Sequence, residues 1–224
     1  MTETLINVES LCAERDGRVL FSGLDFSVET GQVIQVTGAN GAGKTTLLRM
    51  LCGLLPVTAG EIYWCGKPFA IQRYEFSREV LFLGHAPGFK TGLSPRENLH
   101  WYFALRQNIS TDDIDSALAR VGLRGYEDTV CFQLSAGQQR RVALARLLIS
   151  SARLWILDEP FTAIDKQGVG ELETIISDHA DSGGSVILTS HQDLSASANV
   201  TLISLTATED MVASAGDSGG DNDE

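Results

Sequence analysis

The sequence predicts an α/β protein in which a mostly parallel β-sheet carries an antiparallel β edge and is interrupted by an inserted α-helical subdomain. β-rich runs separated by glycine and polar residues open the chain, and similar runs return near its end in alternation with a helical pattern. This alternation is typical of the βαβ units of a parallel sheet. Between the two parts, three segments carry apolar residues at helical spacing, which indicates the helical insert.

The individual runs give the expected elements. Strands are predicted for "LINV", "LDFSV", "VIQVTG" and "EIYW" in the opening part and for "LWILDE", "SVILTS" and "VTLISL" in the closing part. Helices are predicted for "KTTLLRMLCGLL", "SPRENLHWYFALRQ", "DDIDSALARVGL", "AGQQRRVALARLLI" and "KQGVGELETIISDHA". Ser94, Thr111 and Ser135 stand where a side-chain oxygen can cap the N-terminus of a helix.

The order of these elements predicts one domain over residues 1–208. Its core is expected in residues 1–88 and 152–208, and its helical subdomain in residues 89–151. Residues 209–224 contain six acidic and no basic residues, among Gly, Ser and Ala. Such a segment buries too little apolar surface to fold, so we expect it to be a disordered acidic tail.

The composition excludes several classes of function. A net charge of −12 opposes binding to nucleic acid. The longest apolar runs are strand-length, far below the roughly 20 residues of a membrane-spanning helix, so no direct membrane insertion is expected. The N-terminus "MTETLINVES" lacks the pattern of a secretory signal. Four cysteines without a C-x-x-C pair favour buried reduced thiols over metal ligands or disulfides. Together these features predict a cytoplasmic protein.

A glycine-rich stretch between a predicted strand and a predicted helix fits the pattern G-x-x-x-x-G-K-[ST]. Glycines let successive backbone N–H groups turn inward around an anion, and the following helix N-terminus adds partial positive charge. The stretch therefore predicts a P-loop NTPase core of the RecA-like type that holds the phosphates of ATP. The candidate ATP-binding residues are Gly38, Ala39, Asn40, Gly41, Ala42, Gly43, Lys44, Thr45 and Thr46.

The polar side chains of this loop have distinct expected tasks. Lys44 is expected to neutralise the β- and γ-phosphates, and the Thr45 hydroxyl to bind Mg²⁺. Thr46 is expected to lie against the α- or β-phosphate.

The run "LWILDEP" is an apolar strand that ends in two acids, Asp158 and Glu159. Paired carboxylates at a buried strand end need a cation or a substrate proton to compensate them. We therefore expect Asp158 to hold Mg²⁺ through water and Glu159 to act as the general base for the attacking water. The alternative is a pair of solvated acids at a strand exit.

The segment "LSAGQQRR" resembles the signature motif of the ABC ATPases, and it follows the P-loop and precedes the acidic strand end in the order of that family. The resemblance implies that Ser135, Ala136, Gly137 and Gln138 lie at a helix N-terminus and reach the γ-phosphate bound by the opposite subunit of a head-to-tail dimer. Without the other two motifs, the same residues would indicate only a well-capped helix.

Two further short stretches resemble the same family. "FTAID" places Asp165 in the position of the D-loop, which helps to join the two sites of the dimer, and "ILTSHQ" places His191 in that of the switch histidine, which contacts the γ-phosphate. His100 and His179, on predicted helical faces, are interpreted as structural.

The chain departs from the family pattern at two positions. Where the family carries an aromatic residue that stacks on adenine, "CAERDGRVLF" offers Arg15, whose guanidinium can stack on a π-face. The family's Q-loop glutamine is missing from "FLGHAPGFKTGLSPRENL". Either His85 takes over a contact to a metal-bound water, or the loop works only as a hinge.

About 90 residues separate Lys44 from Ser135, which leaves room for a small helical subdomain and none for a long coiled coil. The missing coiled coil excludes the chromosome-maintenance relatives of the superfamily, and the single set of motifs excludes its translation factors, which carry two sets. The interpretation that remains is a transporter subunit. Such a subunit is expected to pair with a second copy of itself. It is also expected to dock on separate membrane permease subunits through the helical insert and the loop from His85 to Pro95.

"ERD" ahead of "LFSGLDFSV", "TGANGAGKTTLLRMLCGL" and "LSAGQQRRVALARL" resemble the ATP-binding subunits of the cytochrome c maturation system, the haem exporter family, over about residues 4 to 205. The resemblance implies an ATPase at the cytoplasmic face of the bacterial inner membrane that energises haem export for c-type cytochromes. The alternatives are a nucleotide-gated interaction subunit with little hydrolysis, a transporter ATPase for another cargo, and a soluble mechanoenzyme of the same superfamily.

Overall fold

The structure is a computed structural model that describes residues 3–86, 88–191, 194 and 200–205. The predicted acidic tail lies outside these residues. Along the chain the elements are β1 (Thr4–Arg15), β2 (Arg18–Glu29), β3 (Val33–Gly38), α1 (Lys44–Leu51), β4 (Ala59–Trp64), β5 (Lys67–Pro68), α2 (Arg73–Glu79), β6 (Val80–Leu83), α3 (Pro95–Phe103), α4 (Thr111–Arg120), α5 (Ala136–Ile149), β7 (Leu154–Asp158), α6 (Lys166–Asp181), β8 (Ser185–Thr189) and β9 (Val200–Leu205). Short 3-10 turns occupy Phe69–Ile71 and Cys131–Gln133.

The strands form two sheets. One is antiparallel, with the strand order β2-β1-β4-β5, and the other is parallel, with the order β6-β7-β8-β3-β9. β7 and β8 are buried along their whole length, as expected for central strands covered on both faces. The predicted α/β class with an antiparallel edge agrees with this topology.

Successive residues of β7 point to opposite faces of the parallel sheet and divide the core in two. Leu154 and Ile156 pack with α1 and the antiparallel sheet, whereas Trp155 and Leu157 pack with the helices α3 to α6. The central sheet is therefore sandwiched, and the carboxyl ends of its strands lie between the two layers.

Capping boxes begin the three helices between β6 and β7. Ser94 and Ser135 cap α3 and α5, as predicted. The prediction of Thr111 as a cap is wrong, because Ser110 caps α4 and Thr111 is the first helical residue. The Ser110 hydroxyl accepts the N–H of Asp113 at 3.1 Å, and the Asp113 carboxylate accepts the N–H of Ser110 at 3.3 Å. Both serine and threonine can cap, and the acid three residues after Ser110 decides between them.

Three elements escaped the sequence patterns, and one of them is the two-residue strand β5. α2 is seven residues long and buries only Phe76, and β6 is a four-residue edge strand. All three are too short for periodicity to identify. The four cysteines are free, but only Cys131 is buried, so the expected burial of all four is wrong. Within the described ranges, no helix is both long and apolar enough to cross a membrane.

His179 packs α6 onto the parallel sheet. Its ring lies parallel to that of Trp155, with the ring centroids 3.7 Å apart and the planes at 4°. A Cβ at Gly184 would lie 2.2 Å from this ring, so a glycine is required there. Burial lowers the pKa of His179 from 6.5 to about 4. The folded protein therefore holds this ring neutral at pH values where the unfolded chain protonates it.

This difference predicts a pH dependence of stability. Between about pH 6.5 and pH 4 the unfolded state binds a proton at His179 that the folded state does not, so the free energy of unfolding falls as the pH falls through this window. The variant His179→Phe keeps a stacked ring but cannot bind a proton. We expect its free energy of unfolding to fall by about 1 to 2 kcal/mol less than that of the wild type over this pH window, a magnitude reduced for the solvent that reaches a half-buried ring. Urea unfolding at several pH values measures the difference, and identical pH profiles would contradict it.

Candidate functional site

The glycine-rich loop connects β3 to α1 and turns around a concave space. Gly43, the residue before α1, has φ +96° and offers no side-chain cap, so the first N–H groups of the helix are left for an external acceptor. At Gly38, with φ +142°, a Cβ would lie 2.6 Å from the carbonyl oxygen of Leu205 on β9. This glycine therefore lets the loop leave the sheet beside the neighbouring strand.

Lys44 lies across the loop that precedes it. Its Nζ donates hydrogen bonds to the carbonyl oxygens of Gly38 at 2.7 Å and Ala39 at 3.2 Å. These bonds hold the ammonium group on the concave side, beside the N–H groups of the loop. The loop thus presents the positive charge that polyphosphate binding requires.

Asp158 ends β7 in a buried position, with 2% of its surface exposed. Its Oδ1 accepts hydrogen bonds from the hydroxyls of Thr45 at 3.2 Å and Thr189 at 2.8 Å. Carboxylate and hydroxyl oxygens are the ligands that Mg²⁺ prefers, so the Thr45–Asp158 pair fits this ion. Among the described residues, no group of three or more His, Cys, Asp or Glu side chains could hold a metal. The pair would accordingly share the ion with phosphate oxygens and water.

Glu159 follows the strand in a strained conformation. Its φ is +49°, in the left-handed region that residues with a side chain seldom adopt, which costs on the order of 1–3 kcal/mol. Its N–H donates to Thr189 Oγ1 at 2.9 Å. Its Oε1 lies 3.6 Å from Nε2 of His191, which comes just after β8. Strain of this kind is concentrated at functional sites, and the structure supports it here with a specific hydrogen bond.

The turn between β1 and β2 brings two arginines to the same place. Asp16 and Gly17 both have positive φ, as a two-residue hairpin turn requires. Arg15 and Arg18 are therefore paired across the hairpin. Arg15 is largely exposed and lies 3.4 Å from the Asp16 carboxylate.

These parts line one cavity of about 610 Å³, a size typical of a site for a nucleotide-sized molecule. Its walls come from the hairpin, the glycine-rich loop, and the ends of β7 and β8. The lining residues are Arg15, Asp16, Arg18, Leu20, Asn40, Gly41, Gly43, Lys44, Thr45, Thr46, Glu159 and His191.

The family model described as ABC transporter matches residues 21–162. This chain belongs to the ABC transporter family. The cytochrome c biogenesis ATP-binding export protein CcmA of Hahella chejuensis is 52% identical to it over 203 residues, which are 91% of this chain and 96% of that protein. The chain is therefore an ATP-hydrolysing subunit of the ABC class.

Solved structures agree with the fold. One similar structure is that of cbiO1 from Clostridium perfringens, described as part of the ABC transporter complex cbiONQ. It has a TM-score of 0.69 and 26% sequence identity, and the aligned part covers 85% of this chain and 79% of the cbiO1 chain. A dimeric ATP-binding cassette in a post-hydrolysis state, bound to ADP and Pi, has a TM-score of 0.79 at 20% identity, with 90% of this chain and 94% of its own chain covered. The predicted fold class, a nucleotide-binding core of ABC type, is confirmed.

The four residues predicted to form the signature motif lie outside the cavity of their own chain. Ser135 and Ala136 are exposed, and Gly137 and Gln138 are half-buried, at the N-terminus of α5. The Ser135 hydroxyl accepts the N–H of Gln138 at 3.2 Å, and the Gln138 side chain accepts the N–H of Ser135 at 2.9 Å. Within one chain, these four residues thus form a capped helix start.

Asp165 and His85 also lie away from the cavity. Asp165 caps α6, accepting the N–H of Gly168 at 2.8 Å and a hydrogen bond from Arg141 at 2.9 Å. The Gly168 N–H, and next the Arg141 guanidinium, lower the pKa of Asp165. His85 is exposed on the loop after β6 and is not among the residues that line the cavity. The structure therefore gives no geometric support to His85 as a contact of the metal site.

Thr189 is a site residue that the sequence patterns missed. Its hydroxyl is fully buried, donates to Asp158, and accepts from the Glu159 N–H. Thr189 is the partner of Asp158 in the parallel register of β7 and β8. The signal that could have found it is the alignment of two predicted strand ends, because neighbouring parallel strands end at the same edge of a sheet.

We expect Thr189→Val to lower the free energy of unfolding by about 1–3 kcal/mol, since it leaves the Glu159 N–H without a partner. ATP turnover should fall about tenfold or more, because Glu159 and Asp158 lose their shared anchor. Thr189→Ser keeps the hydroxyl and is the matched control, expected within about 1 kcal/mol of wild type. Denaturant unfolding and steady-state ATPase assays measure both effects. Equal behaviour of the two variants would contradict the assigned role.

Proposed function

We propose that this chain binds MgATP in the described cavity and hydrolyses it as the ATP-binding subunit of an exporter for c-type cytochrome biogenesis, with haem as the cargo. The observation that carries the hydrolytic part is the meeting of the phosphate loop, Glu159 and His191 at one cavity, with the buried Asp158 hydrogen-bonded to Thr45 of its wall. The 52% identity to a cytochrome c biogenesis ATP-binding export protein supports the pathway.

Each of the residues at the cavity has a separate proposed role in ATP hydrolysis. Lys44 and the N–H groups of the loop hold the β- and γ-phosphates, while the Thr46 hydroxyl contacts the α- or β-phosphate. Thr45 and Asp158 are the residues that would hold Mg²⁺. When bound, this ion neutralises phosphate charge. Glu159 accepts the proton of the attacking water.

His191 lies within reach of both Glu159 and the space above the loop. Its Nε2 is 3.6 Å from the Glu159 carboxylate, and its side chain is largely exposed to the cavity. This position suits an imidazole that binds the γ-phosphate and orients the general base. The retained Glu159–His191 pair favours hydrolysis over a subunit that only binds nucleotide.

A second copy of the chain completes the site in this proposal. In the described part of the structure, the capping box uses the N–H groups of Ser135 and Gln138, and no acceptor faces those of Ala136 and Gly137. These two N–H groups, at the positive end of α5, suit the γ-phosphate held by the partner of a head-to-tail dimer. Asp165 fixes the start of α6 and helps to join the two sites.

Membrane permease subunits are the other partners we propose, and the loop His85–Pro95 and the helices after it form the docking surface. Beside this loop, Trp101 is 56% exposed, and Leu105, just after α3, is fully exposed. Lys90 of the loop lies 4.3 Å from the centre of the Trp101 ring. Exposed apolar side chains of this size are typical of an interaction surface. Docking there would hold the subunit at the cytoplasmic face of the bacterial inner membrane.

We expect Glu159→Gln to bind ATP with unchanged affinity and to accumulate as an ATP-bound dimer without turnover. The amide cannot accept the proton of water but preserves the shape of the site. Steady-state ATPase assays, equilibrium nucleotide binding and size-exclusion chromatography with ATP measure the three properties. Glu75→Gln, an exposed acid on α2, is the control. Normal turnover in Glu159→Gln would sink the general-base assignment.

The same variant tests the pathway. In a host that lacks its own CcmA, the wild-type chain should restore c-type cytochromes and Glu159→Gln should not. Spectra of membrane haem measure the result. If hydrolysis is confirmed and the wild-type chain still fails to restore c-type cytochromes, the cargo assignment is wrong and the ATPase assignment stands.

Arg15 is the proposed contact of the adenine ring. We expect Arg15→Ala to weaken ATP binding about two- to fivefold and to leave binding of inorganic triphosphate unchanged, since stacking acts on the base alone. Arg124→Ala, an exposed arginine after α4, controls for the loss of one positive charge from an acidic chain. Calorimetric titration measures both ligands. Equal losses for ATP and triphosphate would assign Arg15 to phosphate charge instead.

A further inference from the structure

Arg140 is a buried arginine on α5 that contacts two loops at the edge of the site. It is 5% exposed. Its Nη2 donates to the carbonyl oxygen of Glu159 at 2.7 Å, its Nε to that of Pro160 at 3.3 Å, and its Nη1 to that of Gly84 at 3.3 Å. A single guanidinium thus joins the peptides that follow Glu159 to the loop that follows β6.

The chemistry of this contact requires an arginine. Three carbonyl oxygens accept from three nitrogens of one planar group, a geometry that an ammonium cannot reproduce. Burial lowers the pKa of Arg140, and the nearby carboxylates of Asp158 and Glu159 oppose the shift. A guanidinium remains protonated in proteins, so a positive charge lies beside the two acids of the site, although Arg140 forms no hydrogen bond with either carboxylate.

The backbone of Glu159 is held on both sides. Its N–H donates to Thr189, and its carbonyl oxygen accepts from Arg140. Between these two hydrogen bonds lies a residue with φ +49°, a conformation that persists only where its surroundings fix it. The direction of the Glu159 side chain follows from this backbone conformation, so both contacts help to determine where its carboxylate lies.

We propose that Arg140 is a positioning residue for ATP hydrolysis: it fixes the peptide after Glu159 against the loop after β6 and thereby holds the Glu159 carboxylate in the cavity. This inference rests on the proposed role of Glu159 as general base. Arg140 is not among the residues that line the cavity, so we expect its effect to fall on turnover and not on binding.

The test compares variants of the full-length protein assembled with its membrane subunits. We expect Arg140→Met to lower kcat about 10- to 100-fold, since small displacements of a reacting group cost this much, with KM and Kd for ATP within about threefold of wild type. Arg140→Lys restores one of the hydrogen bonds and should recover part of kcat. Steady-state kinetics, equilibrium ATP binding and thermal unfolding are measured on each variant.

Arg146→Met is the matched control. Arg146 lies on the same helix with the same 5% exposure, donates to the carbonyl oxygen of Gly88 at 2.7 Å, and contacts neither Glu159 nor Pro160. Its loss should reduce thermal stability about as much as that of Arg140, with a much smaller fall in kcat. Equal falls in kcat for the two methionine variants would assign Arg140 a structural role only and overturn the proposal.

Two outcomes separate this inference from the proposed function. If Glu159→Gln retains turnover, the general-base assignment fails and the proposal falls with it. If Glu159→Gln is inactive and Arg140→Met keeps the wild-type kcat, only the positioning role is overturned. Should Arg140→Met fail to fold, Arg140→Lys decides: a kcat reduced at least threefold with unchanged ATP affinity supports the role, and a wild-type kcat contradicts it.

Discussion

The carboxylate of Asp158 accepts hydrogen bonds from Thr45 at the start of α1 and from Thr189 at the end of β8. Through these two bonds, a strand end, a neighbouring strand and the phosphate loop meet at one buried oxygen. A carboxylate buried in this way is costly unless it is hydrogen-bonded or binds a cation, so the two hydroxyls fix its place and a bound cation would complete its environment. Glu159 is positioned from the same point, because its N–H is bound by the same Thr189 hydroxyl.

The cavity has a local charge opposite to that of the whole chain. The chain carries a net charge of −12, yet the cavity wall holds three cations, Arg15, Arg18 and Lys44, against two acids, Asp16 and Glu159. This local excess of positive charge attracts a polyphosphate despite the acidic remainder of the chain.

Sequence patterns predicted the features of the fold that arise within short stretches of chain. Strand periodicity, the glycine-rich loop and the acidic end of β7 are local, and part of the loop and Glu159 line the cavity, while Asp158 is buried behind Thr45. Thr189 and Arg140 contact residues that are distant in sequence: Thr189 pairs with Asp158, and Arg140 binds the carbonyl oxygen of Glu159. These contacts depend on strand register and helix packing, which a local sequence pattern does not reveal. The prediction of Thr111 as the cap of α4 was wrong for a local reason. The adjacent Ser110 has an acid three residues later and is therefore the better cap.

α5 takes part in both steps of the proposed mechanism, the contact with the partner's nucleotide and the positioning of Glu159. The N-terminal N–H groups of this 14-residue helix are those proposed to face the partner's γ-phosphate, and Arg140, in its second turn, binds the peptide after Glu159. A helix moves nearly as a rigid body, so a displacement of its N-terminus on dimer closure also displaces the guanidinium. The same guanidinium binds Gly84 at the root of the proposed docking loop. In the proposed mechanism, closure, docking and the placement of the general base would therefore all act on the contacts of this one side chain.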